Sequence, residues 1–289
     1  MPPILEVDHV TKRFGGFTAV DHCTLAVERG SVTGLIGPNG AGKSTLFNML
    51  AGNLAPTSGA IRFEGEDVTG EAPHELFARG ILRTFQIAHE FSNMTVTENL
   101  MMVPPRQEGE RLFSAWTRFG RVAREEAEIK RRAREVLDFV NLAHVRNELA
   151  GNLSGGQKKL LELARTMMVD AKIVLLDEIA AGVNRTLLGD LAGNIERLNR
   201  EMGYTFFVIE HDMDLIARLC DPVIVMAQGT VLREGAIADL REDPEIIEAY
   251  FGGSATGDAT ARKTENGDAT ARKTENGDAV TNKRRPVPA

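Results

Sequence analysis

The stretch "GPNGAGKST", residues 37–45, constrains the fold of this chain more than any other. It fits the pattern Gly-x-x-x-x-Gly-Lys-Ser, in which glycines let backbone N–H groups converge on phosphate oxygens. The apolar run "SVTGLIG" precedes it without polar alternation, as in a buried strand, and "KSTLFNMLAG" follows with a helical pattern. A strand, a phosphate-binding loop and a helix in this order predict a nucleotide-binding α/β fold.

The residues of this loop have predicted roles in holding a nucleotide. Lys43 would reach the β- and γ-phosphates, and the Ser44 hydroxyl would bind Mg²⁺. The start of the helix adds its partial positive charge. The predicted binding residues here are Gly37, Pro38, Asn39, Gly40, Ala41, Gly42, Lys43, Ser44 and Thr45.

An Asp-Glu pair follows a second apolar strand, "IVLLDE" at 173–178. Asp177, at the carboxyl end of the strand, is predicted to hold the Mg²⁺. Glu178 would point the other way, as neighbours in an extended chain do, and act as general base towards an attacking water. Such a pair alone is usually the start of a solvated loop, but the phosphate-binding loop upstream favours the catalytic interpretation.

The order of the remaining segments predicts two α/β halves separated by a helical insertion. Two short β-type stretches, "ILEVDHV" and "CTLAVERG", open the chain, and "YTFFVIEHD" and "DPVIVMAQG" indicate further parallel strands with crossover helices. The insertion, about 86–160, contains the charged helical pattern "GRVAREEAEIKRRAREVLDFVNL". The apolar face of that helix is predicted to consist of Ile129, Ala133, Val136, Leu137 and Val140.

Residues 254–289 differ from the rest of the chain. The decapeptide "GDATARKTEN" occurs at 257–266 and again, unchanged, at 267–276. The stretch has no aromatic residue and almost no large apolar one, so its burial cannot offset the entropy of ordering. We predict a folded domain over 1–253 and a disordered tail over 254–289.

Charge and cysteine content restrict the partners and the compartment. The formal net charge of −7 argues against nucleic acid as the main partner. Cys23 and Cys220 both lie in apolar segments, which is typical of buried thiols in a reducing cytosol. The N-terminus lacks a secretion signal, and no apolar run approaches the roughly 18 residues of a membrane span. We therefore expect a soluble cytoplasmic protein whose membrane role, if any, comes through partners.

A second glycine turn, in "NLSGGQKK" at 152–159, opens another helix. Ser154 and the two glycines after it offer a second anion site at a helix start. The chain needs only one phosphate cradle for its own nucleotide. In isolation this turn would be a capped helix start, but its place just before "IVLLDE" favours a functional interpretation.

Five motifs in one order resemble those of the ATP-binding subunits of ABC transporters. "GPNGAGKST" is similar to their Walker A, Gln86 in "RTFQ" to their Q-loop, "LSGGQ" to their signature, "LLDE" to their Walker B, and His211 to their switch histidine. The match covers roughly residues 4–252. The resemblance implies an ABC-type P-loop NTPase with a RecA-like parallel-sheet core, an antiparallel β subdomain and a helical subdomain. It also implies ATP hydrolysis with Mg²⁺.

In that family two such domains dimerise head to tail, and the signature of one closes over the γ-phosphate held by the Walker A of the other. The resemblance therefore implies that Ser154, Gly155, Gly156 and Gln157 bind the partner's ATP.

The resemblance implies four further roles. Phe14 would stack on adenine, an interaction worth roughly 1–3 kcal/mol per base. Gln86 would contact the Mg²⁺/water site and connect it to the membrane partner through "IAHEFSNMTVTENL". His211 would contact the γ-phosphate, and Asn184 would lie in the D-loop across the dimer interface.

Several segments resemble the LivG type, the ATP-binding subunits of importers for branched-chain amino acids and relatives such as urea or short amides. They are "RTFQ…MTVTENL", "AAGVN" with Asn184, "IEHDMDLI" and "PEIIEAYFG". This resemblance implies transmembrane permease subunits, a second and different ABC ATPase chain, and indirectly an extracytoplasmic solute-binding protein. It implies a peripheral location on the cytoplasmic side of the inner membrane and no nucleic-acid partner.

The chain departs from the family at three positions. Ile179 stands where a proline usually follows the catalytic Glu and would hold Glu178 extended. We expect hydrolysis to survive at a reduced rate. Arg185 stands where a proline is common, and Phe14 replaces the more frequent tyrosine.

Other functions have less support. Non-transport ABC ATPases of DNA repair or translation fit poorly with the lack of basic excess, the single nucleotide domain and the absence of a long coiled-coil insertion. Ile179 is the feature that favours a nucleotide-gated assembly module with weak hydrolysis. No Asn-Lys-x-Asp guanine motif supports a GTPase. Asn184 and "PEIIEAYFG" favour the amino-acid importers over lipid-export ATPase subunits.

Overall fold

The computed structural model describes residues 2–84, 90–105, 107 and 119–251. Residues 1–250 form one unit, and residues 251–289 form another, of which only Phe251 is described. The strands are β1 (Leu5–Phe14), β2 (Phe17–Val27), β3 (Val32–Ile36), β4 (Ser58–Phe63), β5 (Glu66–Asp67), β6 (Ile81–Arg83), β7 (Ile173–Asp177), β8 (Thr205–Ile209), β9 (Val223–Ala227) and β10 (Thr230–Gly235). The helices are α1 (Lys43–Leu50), α2 (Pro73–Arg79), α3 (Val96–Met101), α4 (Phe119–Phe139), α5 (Gly155–Met167), α6 (Arg185–Met202), α7 (Met213–Leu219), α8 (Ile237–Arg241) and α9 (Pro244–Phe251), with short 3-10 turns at Ala143–Val145 and Ala150–Asn152.

A six-stranded sheet with the order β10-β9-β3-β8-β7-β6 forms the centre of the unit. All its pairings are parallel except that of β9 with β10. Every residue of β3, β7 and β8 is buried, as expected for parallel strands covered on both faces. The carboxyl ends of these three strands lie at one edge, where ligands of such sheets bind. The predicted α/β fold with parallel strands is confirmed.

Alternating residues of the central strands face two separate cores. Val174 and Leu176 of β7 belong to a core shared with helices α3 to α6. Leu175 and Phe207 face the opposite side, where the ring centroid of Phe207 lies 5.0 Å from that of Phe47 in α1. The sheet therefore separates a helical layer from the layer that carries the phosphate-binding loop.

A second, antiparallel sheet has the order β2-β1-β4-β5. Its buried residues, among them Val7, Val20 and Ile61, share one core with α1. The β-type stretches predicted at the start of the chain are confirmed as β1 and β2.

Helices α3, α4 and α5 lie between β6 and β7 in sequence. The predicted apolar face of α4 is confirmed, because Ala133, Val136 and Leu137 are at most 5% exposed and Ile129 packs beside them. Within the residues that the structure describes, no helix combines the length and the apolar character needed to cross a membrane.

Candidate nucleotide-binding site

The phosphate-binding loop connects the central strand β3 to α1. The helix begins after Gly42, whose φ is 98°, and no side chain caps its first turn. The first N–H groups of a helix lack partners within the helix, and its dipole favours an anion there. Only glycine fits at position 42, because a Cβ would lie 2.5 Å from the carbonyl oxygen of Ala19. The backbone of β2 therefore restricts the shape of the loop.

Lys43 is buried at the base of this loop. Its Nζ donates to the carbonyl oxygens of Gly37 at 2.7 Å and of Pro38 at 3.0 Å. Burial lowers the pKa of the amine, while the carboxylates of Glu178 and Asp177 act in the opposite direction. The two loop carbonyls therefore fix the position of this cation at the base of the loop.

An open cleft lies over the loop. Its aromatic wall is Phe17, the exposed partner of Phe14 across the β1–β2 hairpin. Phe14 is also exposed but does not line the cleft, and its predicted stacking on adenine stays a prediction. The cleft is lined by Phe17, Ala19, Asn39, Gly40, Ala41, Gly42, Lys43, Ser44, Thr45, Glu178 and His211.

Glu178 and His211 meet in this cleft. Glu178 Oε1 lies 3.3 Å from His211 Nε2, and the side chains are 25% and 46% exposed. The backbone of Glu178 has φ 49°, so the extended conformation expected for this residue is wrong. A proline at position 179 would favour an extended backbone at Glu178, whereas Ile179 places no such restriction on it. The carboxylate still reaches the cleft.

Asp177 ends β7 and is only 5% exposed. Its Oδ2 accepts a hydrogen bond from Arg83 at 2.7 Å, and the same guanidinium donates to Asn48 of α1 at 2.6 Å. Arg83 therefore connects Asp177 to the helix that follows the phosphate-binding loop. Sequence reasoning missed Arg83, because the contact joins residues 94 positions apart and no local pattern marks it.

Ser44 and Asp177 offer the hard oxygen donors that Mg²⁺ prefers. Mg²⁺ is usually held by one or two carboxylates together with substrate phosphates and waters. Among the described residues, no group of three or more His, Cys, Asp or Glu could hold a metal by itself. This donor set fits a Mg²⁺ that arrives with a nucleotide.

Glu210, just after β8, is a second residue that the sequence analysis missed. It is 3% exposed, and its carboxylate accepts hydrogen bonds from the backbone N–H of Ala180 at 2.7 Å and of His211 at 3.0 Å. Burial raises the pKa of this carboxyl, and the backbone N–H groups oppose that rise. An isolated glutamate before a histidine gives no signal of this arrangement in the sequence.

The second glycine turn forms the start of α5. The Ser154 hydroxyl accepts from the N–H of Gln157 at 3.3 Å, and the Gln157 side chain accepts from the N–H of Ser154 at 3.0 Å. This reciprocal pair is a capping box. Gly156 packs against α6, because a Cβ at this position would lie 2.4 Å from Leu187 Cδ1.

The remaining predicted residues lie elsewhere. None of residues 154–157 lines the cleft over the phosphate-binding loop in the described structure. Asn184 caps α6, since its side-chain oxygen accepts from the N–H of Leu187 at 2.9 Å. Gln86 lies outside the described residues.

Comparisons with known proteins identify the family of this chain. Residues 20–181 match the family described as "ABC transporter". The chain is 42% identical over 249 residues to the probable branched-chain amino acid transport ATP-binding protein LivG of Archaeoglobus fulgidus, covering 86% of this chain and 95% of that protein. It is 41% identical over 250 residues to the high-affinity branched-chain amino acid transport ATP-binding protein BraF of Pseudomonas aeruginosa, covering 86% and 98%.

Two solved structures of ATP-binding cassettes from ABC transporters are also similar to this chain. One is nucleotide-free, with a TM-score of 0.74 and 36% identity, and the match covers 86% of this chain and 99% of that one. The other is an ADP conformation, with a TM-score of 0.74 and 37% identity, and the match covers 87% and 100%. The fold and the family predicted from the five motifs are confirmed. The chain belongs to the ABC transporter family and is one of its ATP-binding, ATP-hydrolysing subunits.

Proposed function

We propose that this chain hydrolyses ATP to drive an importer of branched-chain amino acids or of related small solutes such as urea and amides. The observation that carries the hydrolytic part is the pairing of Glu178 with His211 at 3.3 Å beside the phosphate-binding loop. The solute class is supported by the names of the relatives LivG and BraF.

The proposed chemistry assigns one role to each group of the cleft. The N-terminus of α1 and Lys43 bind the phosphates of ATP. Ser44 and Asp177 would hold a Mg²⁺, which would offset charge on the phosphates. Glu178 takes a proton from the attacking water, and His211 contacts the γ-phosphate.

The proposed assembly is a head-to-tail dimer with a second, different ABC ATPase chain. Ser154, Gly155, Gly156 and Gln157 would face the partner's ATP, and this is supported by their position outside the chain's own cleft. Asn184 would lie at the same interface. ATP binding would close the dimer, and hydrolysis would reset it.

The proposed location is the cytoplasmic face of the inner membrane, with transmembrane permease subunits as direct partners and an extracytoplasmic solute-binding protein as an indirect one. Gln86 would connect the cleft to the permease. We propose the domain boundaries predicted above: an ATP-binding domain over 1–253 with its helical subdomain at about 86–160, and a tail over 254–289.

Substitution of the proposed base tests the hydrolytic mechanism. Glu178→Gln should lower ATP turnover about a hundredfold or more while the Kd for ATP stays within about twofold, because the amide keeps the shape but cannot accept the proton. Glu128→Gln, the same change at an exposed position of α4, is the matched control and should leave turnover unchanged. Near-normal turnover of Glu178→Gln would refute the assignment of the base.

An affinity pull-down of the tagged protein from its native membranes in mild detergent tests the assembly. We expect two multi-span proteins, a second short ABC ATPase and a solute-binding protein, whose ligand can then be found by screening. Recovery of soluble or nucleic-acid-associated partners alone would favour a non-transport ABC ATPase.

A further inference from the structure

Glu210 is a buried carboxylate whose partners in the described structure are backbone N–H groups. Oε1 accepts from Ala180 at 2.7 Å, and Oε2 accepts from His211 at 3.0 Å. The N–H of Asp212 also stabilises the charged form. Buried carboxylates are usually paired with a cation, so a carboxylate committed to backbone N–H groups calls for a structural explanation.

The two oxygens of Glu210 hold two different loops. Ala180 lies two residues after Glu178, in the segment between β7 and α6, whereas His211 lies between β8 and α7. A single rigid carboxylate therefore fixes the distance between the two segments. Charge-assisted hydrogen bonds of this type are roughly twice as strong as neutral ones.

The same two segments also meet through their side chains, in the 3.3 Å contact between Glu178 and His211. That contact is partly exposed, and a pair of this kind contributes only about 0–1 kcal/mol. A bound nucleotide and water would compete for both groups. Glu210 itself is only 3% exposed, so solvent competes little for its contacts.

We propose that Glu210 is a positioning residue that holds the segments carrying Glu178 and His211 in register, so that base and histidine act on the same γ-phosphate. The inference rests on the roles proposed for Glu178 and His211. Glu210 does not line the cleft, and it acts on the reaction only through these two residues.

A double-mutant cycle tests this proposal on the purified full chain. Glu210→Gln keeps the shape of the side chain but places an NH₂ group opposite one backbone N–H. We expect kcat for ATP to fall about tenfold while KM and the Kd for ADP stay within about twofold. In the His211→Ala background the same change should lower kcat less than about threefold, because one of the two groups that Glu210 aligns is then absent.

Thr205→Val is the matched control. Thr205 is a buried polar residue at the other end of β8, and its hydroxyl accepts from the N–H of Gly30 at 2.9 Å. Loss of this hydroxyl should reduce stability without changing kcat.

Glu210→Asp retains the charge but shortens the side chain, and we expect a kcat between those of the wild type and Glu210→Gln. If Glu210→Gln lowers kcat by the same factor with and without His211, or leaves kcat unchanged, the proposal is wrong.

Amide hydrogen exchange on the wild-type chain tests the contacts without any substitution. The N–H groups of Ala180 and His211 should exchange at least about a hundredfold more slowly than those of exposed loops. Fast exchange at both would overturn the proposal. A failure of the proposed function would be recognised differently, because Glu178→Gln and His211→Ala would then each retain full turnover, and Glu210 would have no reacting pair to position.

Discussion

Replacement of Gly42 by alanine isolates the steric restriction on the phosphate-binding loop. The new Cβ would lie 2.5 Å from the carbonyl oxygen of Ala19, a backbone atom that cannot rotate away. The residue would also have to keep a φ of 98°, a conformation that L-residues avoid. Gly40→Ala provides a matched control, because Gly40 has a similar φ of 80° but nothing within 4 Å of its Cβ position.

Both variants lose stability from the positive φ, but only one of them also loses stability from a steric clash. The positive φ costs about 1–2 kcal/mol for an L-residue, and we expect this loss in both. Displacement of packed backbone costs about 1–3 kcal/mol more, and only Gly42→Ala incurs it. The free energy of unfolding should therefore fall by about 3 kcal/mol for Gly42→Ala and by about 1 kcal/mol for Gly40→Ala.

Urea denaturation without nucleotide, followed by circular dichroism, measures this difference. Absence of nucleotide matters, because an added methyl group at Gly40 would face the binding cleft. Equal losses for the two variants would refute the reasoning, since they would mean that the β2 backbone does not restrict the loop.

Three further predictions concern buried groups of this chain. Arg83→Met should lower the free energy of unfolding by about 3 kcal/mol, because it leaves the buried carboxylate of Asp177 without its cation. A loss below about 1 kcal/mol in urea denaturation would show that this carboxylate is solvated. Burial raises the pKa of the Cys23 and Cys220 thiols to about 12, so above about pH 9 the unfolded chain ionises first and stability falls as pH rises. In a variant with both cysteines replaced by alanine, the urea midpoint should fall less steeply above about pH 9 than in the wild type. An equally steep fall in both proteins would contradict the pKa argument. Ile179→Pro should shift Glu178 towards an extended backbone and raise ATP turnover per folded molecule; unchanged or reduced turnover would show that Ile179 does not limit hydrolysis.

The parts of the site that could be predicted from the sequence are those in which a local pattern and the chemistry coincide. A short run of sequence is enough to recognise each of three features. They are the loop at 37–45, the strand before Asp177 and the cap at Ser154. The parallel sheet then brings the loop and Asp177 together, because the carboxyl ends of parallel strands lie at one edge of the sheet.

The parts that could not be predicted depend on register and on distant pairings. Phe17 lines the cleft, whereas Phe14, its partner across the β1–β2 hairpin, does not. Arg83 and Glu210 act through partners 94 and 30 positions away. Glu178 has a positive φ directly after β7, and the apolar strand before it gives no local sign of this.

The close contact of Gly156 with Leu187 has a mechanical consequence. Because of this contact, the start of α5 cannot move closer to the first turn of α6, which Asn184 caps. A displacement of the start of α5 would therefore move the first turn of α6 and, with it, the segment that leads back to Glu178. In the head-to-tail dimer proposed above, this contact would couple the nucleotide facing the second glycine turn to the catalytic segment of the same chain.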